Sequence, residues 1–460
     1  MTLPRYGHYK DSGVDWLGEV PAHWQVTRLK FIAHVQTGIA KGKDNTEKDT
    51  VEVPYLRVAN VQDGYLDLED VATIEIAVDD LPRYQLRAGD VLMNEGGDFD
   101  KLGRGHVWDG SIDPCIHQNH VFAVRPFGAS PQWLNLITGS AYAQFYFMSR
   151  SKQSTNLASI SSTNVMELPV VMPPAAEQER IAEFLGNETA TIDRLIDEQQ
   201  RLIELLTEKR QAVVAHTVTK GLIPAAPMKD SGVEWLGDVP ANWDVSRLKF
   251  IAKVQTGVAK GKDNTGKEVV EVPYLRVANV QDGYLDLEEV STIEIPTNDL
   301  ARYRLRAGDV LMNEGGDFDK LGRGHIWDGS IDPCIHQNHV FAVRPTGVSP
   351  GWLNTITGSA YAQFYFMSRS KQSTNLASIS STNLMELPVV VPPTAEQATL
   401  LNWIDAQSAA FDDLLDSAKM AVSLLRERRT ALISAAVTGQ IDVRDTAASA
   451  KADAGCTPTC

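Results

Sequence analysis

The stretch Asn94–Arg125 reads NEGGDFDKLGRGHVWDGSIDPCIHQNHVFAVR, and it returns at Asn313–Arg344 with one change, Val107 to Ile326. Working outward from it, Lys10–Leu222 matches Lys229–Ile441 without a gap, at a constant offset of 219 residues. Val51–Asp70 and Val270–Glu289 differ only at the last position, and Leu136–Pro174 differs from Thr355–Pro393 at three. Differences gather at Glu47–Thr50 and at Ala77–Gln85. After Pro174 and Pro393 identity falls sharply while the apolar spacing persists. A solenoid repeats every ~20–50 residues, so this much longer period is a duplicated domain, each copy followed by a segment held only to a pattern. The copied part implies two nearly identical binding surfaces; the patterned part suits a helix whose work is packing.

The copied part reads as mixed helix and strand. Val53–Val61, Asp90–Met93 and Asn119–Pro126 are strand-like runs bounded by Gly, Pro and Asp. Gly89-Asp90, Asp63-Gly64 and Asp109-Gly110 are turn signals. Pro131–Arg150 reads as one helix. The patterned part opens at Pro173-Pro174 with Glu177 and Glu179 in its first turn, as the helix dipole favours. A heptad seam follows through Ile181, Leu185, Ile192, Leu195, Leu202, Leu206 and Val213. In the second copy it runs through Leu400, Ile404, Phe411, Leu414, Ala421, Leu425 and Leu432. Each seam helix of about 38 residues would be about 57 Å long. Equal phase and length make the two helices partners; two separate surface helices are the alternative. The expected fold class is α+β: two mixed α/β domains joined by two long helices that form an antiparallel, pseudo-twofold coiled coil. The boundaries read 1–175 for the first domain, 176–222 for its helix, 223–394 for the second domain, 395–444 for its helix, and 445–460 for a disordered tail.

The chain has 460 residues, 43% hydrophobic and 22% charged, as in globular proteins. No apolar run spans a membrane, and the start carries no secretory h-region. Four cysteines include the repeat equivalents Cys115 and Cys334, too few for a disulfide framework, so a cytoplasmic location is expected. The net charge of −16 weighs against a nucleic-acid ligand unless a cleft is locally basic.

Four motifs then fall in the same order twice. They are Trp16–Trp24 (WLGEVPAHW) followed by Arg28-Leu29-Lys30; the Gly89–Met93 step into a Gly-rich loop; Pro173-Pro174 with Glu177-Gln178; and the helix end Val213–Leu222, echoed by Ala431–Ile441. Over about residues 10–442 the chain resembles the specificity subunits of type I restriction-modification systems. The resemblance implies two target recognition domains, a bipartite duplex DNA target, and no catalysis on this chain. It implies two modification subunits that carry S-adenosylmethionine and methylate adenine N6, and two restriction subunits that use ATP and Mg.

The residues agree with a reader rather than an enzyme. No methyltransferase Asp/Asn-Pro-Pro-aromatic step and no phosphate-binding P-loop occurs; Pro173-Pro174 follows Val-Met. Cys115–His120 lacks the paired companion a closed zinc site wants, so Cys115 reads as core, and no metal is assigned. Asp98, Asp100 and Asp113 read as turn chemistry rather than a nuclease set. Three polar segments have chemistry suited to DNA, since Lys suits phosphate and Asn suits adenine edges. They supply Lys41, Lys43 and Asn45; Asn94, Lys101 and Arg104; and Lys152, Gln153, Thr155 and Asn156. The second copy supplies Lys260, Lys262, Asn264, Asn313, Lys320, Arg323, Lys371, Gln372, Thr374 and Asn375. Solvated loops are the plain alternative for each segment. At the level of function, the alternatives are a twin-domain adaptor for protein or glycan ligands and a stand-alone transcription regulator. Near-identical domains predict equal half-sites, hence an interrupted palindrome, with Gln85/Arg304 and His34/Lys253 as differences able to break its symmetry.

Overall fold

The computed structural model describes residues 3–42, 48–97, 102–153, 158–261, 264–316, 321–372 and 377–444. The chain divides into two units, Met1–Gln199 with Met420–Cys460, and Gln200–Lys419. The cuts fall inside the two long helices. Each unit therefore holds one copied domain, the half-helix adjoining it, and half of the other long helix.

In the first unit the central feature is a four-stranded antiparallel sheet in the order Ala33–Thr37, Val121–Pro126, Val91–Asn94, Gly105–Val107. Val91, Met93, Phe122 and Val124 bury one face in the main core with Trp24, Trp133 and Phe147; Leu92, Val121 and Ala123 bury the other with Leu56, Trp108 and Cys115. Burial of both faces explains why the strands VLMN and VFAV read as continuous apolar runs. A second sheet orders Ile116–His117, Thr50–Leu56 and Ala72–Ala77. Pro54 sits in its middle strand, but only Tyr55 and Leu56 pair with Ile116 and His117, so the missing N–H falls outside the two-sided stretch. The run expected through Val61 ends at Leu56, and Val58–Asn60 is a 3₁₀ turn closed by the Asn60 side chain. The helix expected over Pro131–Arg150 is two, Pro131–Thr138 and Ala141–Arg150. Gly139 ends the first, and Ser140 caps the second by accepting from the Ala143 N–H. The second unit repeats these elements, with Ala252–Thr256, Val340–Pro345, Val310–Asn313 and Gly324–Ile326 as its four-stranded sheet.

The long helices are Ala175–Lys220, 46 residues, and Thr394–Val437, 44 residues. At 1.5 Å per residue they are about 69 and 66 Å long, longer than their seams suggested. Within the first unit, Ile181 and Leu185 share a core with Ile433, Ala436 and Val437, and Arg429 Nε lies 3.0 Å from Asp193 Oδ1. Within the second, Val218 packs with Leu400 and Ile404, and Arg210 reaches Asp412 at 2.9 Å. In each unit, one chain direction rises as the other falls: the pairing is antiparallel. The two ion pairs are repeat equivalents with donor and acceptor helices exchanged.

The seam itself needs correction. Burial passes through Ile181, Leu185, Ile192, Ile196 and Val218, with Ile203 and Leu206 half-buried, and through Leu400, Ile404, Phe411, Leu415, Ala418, Val422, Ile433 and Ala436. Leu202 and Leu414, placed on the seam by heptad spacing, stand exposed at 42% and 53%. Ala421 and Leu432 likewise yield full burial to Val422 and Ile433, and Leu195 to Ile196. A straight helix drifts about 20° per heptad against a 3.5-residue repeat. After two or three heptads the drift is about half of the roughly 100° between neighbouring residues, so the next residue along becomes the one nearest the buried stripe, which is the observed slip.

The helix starts are pinned to the domains by the tryptophan motif. Glu177 is buried and accepts from Tyr6 Oη at 2.7 Å and Trp24 Nε1 at 3.1 Å, with His23 Nε2 at 2.8 Å. Glu396 accepts from Trp243 Nε1 at 3.0 Å in the second unit. The helix ends dock on the same motifs. Gly439, at φ +73°, packs so close that a Cβ would stand 2.3 Å from Pro21, and Gly221, at φ +74°, stacks on Trp243. Pro21 and Trp24 hold in the first unit the place that Pro240 and Trp243 hold in the second.

Candidate nucleic-acid interface

One polar wall is built by four segments that hydrogen-bond in series. Ile39 bridges to Gln118, and the Asn119 N–H donates to the Ile39 carbonyl at 3.0 Å. Gln118–Val121 closes a turn, with Val121 N–H donating to the Gln118 carbonyl at 2.8 Å, so Asn119 and His120 occupy its corner. The Glu95 N–H donates to the His120 carbonyl at 2.9 Å, and Ile160 N–H to the Glu95 carbonyl at 2.9 Å. Gly96–Gly97 then forms the edge of a small sheet with Ala158–Ser159 and Lys152–Gln153. A cavity of about 490 Å³ is lined by Val58, Glu95, Gly96, Gly97, His120, Lys152, Gln153, Ala158 and Ser159. Gly96 is required here, because a Cβ would meet the Ala158 carbonyl at 2.7 Å.

Two of the three polar segments expected to face DNA are thus joined in one sheet, and the third approaches through Ile39. Lys41, Lys152 and Gln153 are exposed, as are Lys260, Lys371 and Gln372. Arg104 and Arg323 are half-buried, the latter 3.7 Å from Asp282. Lys43, Asn45, Lys101, Thr155, Asn156, Lys262, Lys320, Thr374 and Asn375 lie outside the described residues.

Three asparagines leave the candidate set. Asn94 and Asn313 are buried, and their Nδ2 groups donate to the carbonyls of Val61 at 2.9 Å and Val280 at 2.8 Å. Their backbones clamp the loop that follows: Gly103 N–H donates to the Asn94 carbonyl and Asn94 N–H to the Arg104 carbonyl. They hold the loop rather than read a ligand. Asn264 is committed likewise, its Nδ2 donating to the Glu294 carbonyl at 3.0 Å.

The Cys115–His120 stretch separates into core and corner. Cys115 is buried and its thiol is pushed up to about 12 by desolvation. His117 is buried, its Nδ1–H donates to the Val121 carbonyl at 2.6 Å, and burial lowers its imidazole to about 4. Among the described residues, no three His, Cys, Asp or Glu side chains gather as a metal set. Beneath the wall, Asp90 is 1% exposed and held by Arg125 through Nε at 2.7 Å and the terminal nitrogen at 2.6 Å. It also accepts from the Arg87 N–H, fixing the turn that launches Val91–Asn94. Within the wall the repeats differ at Ile39, which is Val258 in the second copy, and the two polar differences singled out in the sequence lie off it. Gln85 and Arg304 reach equivalent partners, Asp113 at 2.7 Å and Asp332. His34 stacks on Phe127 at 4.8 Å, where the second copy has Lys253 and Thr346.

Sequence reading passed over His120 and Glu95 as site residues, although both lie in the almost perfectly copied stretch. His120 Nδ1 is 2.8 Å from Glu95 Oε2, and Asn119 Nδ2 is 3.2 Å from His120 Nε2. The second unit repeats this with His339, Glu314 and Asn338, at 2.8 and 3.3 Å.

Comparison with known proteins agrees with this construction. The family model for the type I restriction modification DNA specificity domain matches residues 21–205. The EcoKI specificity subunit of Escherichia coli (strain K12) is 22% identical, over 92% of this chain and 90% of its own. A solved chain from work on complex assembly and conformational transition of the type I R-M system superposes with a TM-score of 0.67 at 16% identity, covering 91% of this chain and 99% of that one. The HsdS subunit of Thermoanaerobacter tengcongensis gives 0.50 at 16% identity, covering 91% and 98%. Over about nine-tenths of its length the chain is thus similar to the type I restriction-enzyme specificity subunits, and the first copy of its repeat matches the model of the type I restriction modification DNA specificity domain.

Proposed function

We propose that this chain is the DNA-reading, non-catalytic component of a type I restriction-modification complex. The observation that carries the reading is the duplicated polar wall, with exposed Lys41 and Lys152 in one copy and Lys260 and Lys371 in the other, on a chain whose net charge is −16. Cations gathered on one surface attract phosphate locally even where the chain as a whole is acidic. Backbone contacts then set register, and amides and hydroxyls on the wall read base edges. Methylation and cleavage belong to partners: two modification subunits that bring S-adenosylmethionine to adenine N6, and two restriction subunits that use ATP and Mg, all in the cytosol. Because the two walls carry the same polar residues, the target is one half-site met twice, an interrupted palindrome of duplex DNA.

The test expresses the chain with its modification subunit and maps N6-methyladenine across the host genome. An interrupted palindrome methylated once per strand is expected. An asymmetric bipartite motif would remove the equal-half-site reading while keeping the DNA-reading role. No new motif, with the modification subunit shown to be active, would favour an adaptor role instead.

A further inference from the structure

Resting on that reading of the chain as a DNA specificity subunit, we propose that Asn119 and Asn338 are adenine-reading residues, each preset by an adjoining His–Glu pair. Asn119 stands at the corner of the Gln118–Val121 turn, beside the cavity lined by Lys152, Gln153 and Gly96. Glu95 is a carboxylate that only accepts, so His120 Nδ1 carries the proton across the 2.8 Å contact. In the neutral ring Nε2 then accepts, and the group facing it at 3.2 Å is the Asn119 Nδ2. The chain Glu95–His120–Asn119 thus fixes which way round the amide stands. One Nδ2 hydrogen is used on His120. The other remains beside Oδ1, a donor and an acceptor side by side, which is the pair that matches adenine N7 and N6 in the major groove. Among the described residues, the side chains of Asn119 and His120 hydrogen-bond to each other and to Glu95, unlike Asn94, whose amide nitrogen is spent on Val61. The same three residues, with the same contacts, recur as Glu314, His339 and Asn338.

His120 and Glu95 are positioning residues: they orient the amide without meeting the base. Two consequences separate this from a merely structural turn. Loss of the Asn119 amide removes preference at one adenine and leaves the neighbouring positions. Replacing Glu95 with Gln preserves the arrangement, because an amide carbonyl still accepts from Nδ1–H, whereas Ala does not.

The experiment selects bound molecules from a library of randomised duplexes, using the full chain assembled with its modification subunit, and reads base preference at each position. Wild type is expected to select a bipartite motif with at least one adenine per half-site. Asn119→Ala should lower the preference for one adenine in one half-site by about tenfold, leaving the other half-site as an internal reference. Glu95→Ala should weaken the same position and Glu95→Gln should retain it. Unchanged preference at every adenine in Asn119→Ala would overturn the proposal, as would a uniform loss across the half-site. If wild type selected no motif, the DNA-reading role itself would fall, an outcome distinct from either.

Discussion

At the scale of single residues, burial rather than charge decides what each group does. His117 and His336 are neutral core residues lowered to about 4, with one ring nitrogen on a carbonyl and the other without a partner. In the unfolded chain the same imidazoles titrate near 6.5. Between pH 6.5 and 4 the unfolded chain binds protons that the folded chain excludes, so stability is greatest above about pH 6.5 and falls as pH drops toward 4. Each histidine should remove about 2 kcal/mol by pH 5. Thermal melts at about pH 7.5 and pH 5 should show this loss, and His117→Asn with His336→Asn should shrink it. A melting point indifferent to pH would contradict the assignment. Asp90 makes the opposite case, a buried charge kept because Arg125 meets it with two nitrogens. Asp90→Ala leaves that guanidinium unpaired and should cost about 3 kcal/mol in urea unfolding, far more than loss of an exposed ion pair such as Arg194–Glu198.

At the scale of elements, the repeat, the strands and the long helices were legible because each rests on local pattern: identity at a fixed offset, apolar runs, and three-four spacing. What escaped was set by geometry that spacing does not encode. The seam slipped from Leu414 to Leu415 because a straight helix does not keep a 3.5-residue register. One expected helix became two because Gly139-Ser140 stops and caps within an apolar run. In the site, Asn94 had the right chemistry and the wrong depth, whereas Asn119 gained meaning only when the fold set Glu95 behind its neighbour. Polar composition marks a loop, but which amide is spent on the backbone is a tertiary fact. The slip is directly testable. Leu415→Ala should cost about 2–4 kcal/mol by denaturant unfolding, and Leu414→Ala within about 0.5. Equal costs would restore the strict heptad.

At the scale of the whole molecule, each unit is completed by the end of a helix that begins beside the other domain. The first domain's core takes in Ile433, Ala436 and Val437, and Gly439 seats against Pro21 and Trp24. Residues 1–222 alone lack all four, so that fragment cannot finish its own core. It does carry Val214, Thr217 and Val218 at the equivalent positions, and Gly221 already seats against Pro240 and Trp243, the copies of Pro21 and Trp24. A second copy of the fragment can therefore supply what is missing, and it would receive the same in return. An isologous dimer is the closed solution to that mutual need. The fragment should sediment as a dimer and, with the modification subunit, direct methylation of the same interrupted palindrome as the full chain. Substituting Gly221 by a bulky residue such as Leu should weaken that dimer, because a side chain there meets Trp24 of the other copy. The same change in the full chain should disturb only the second domain's contact with Trp243. A fragment that stays monomeric and folded would show that the first domain does not need a returning helix, and the core shared with Ile433 would then be an accessory to the fold rather than part of it.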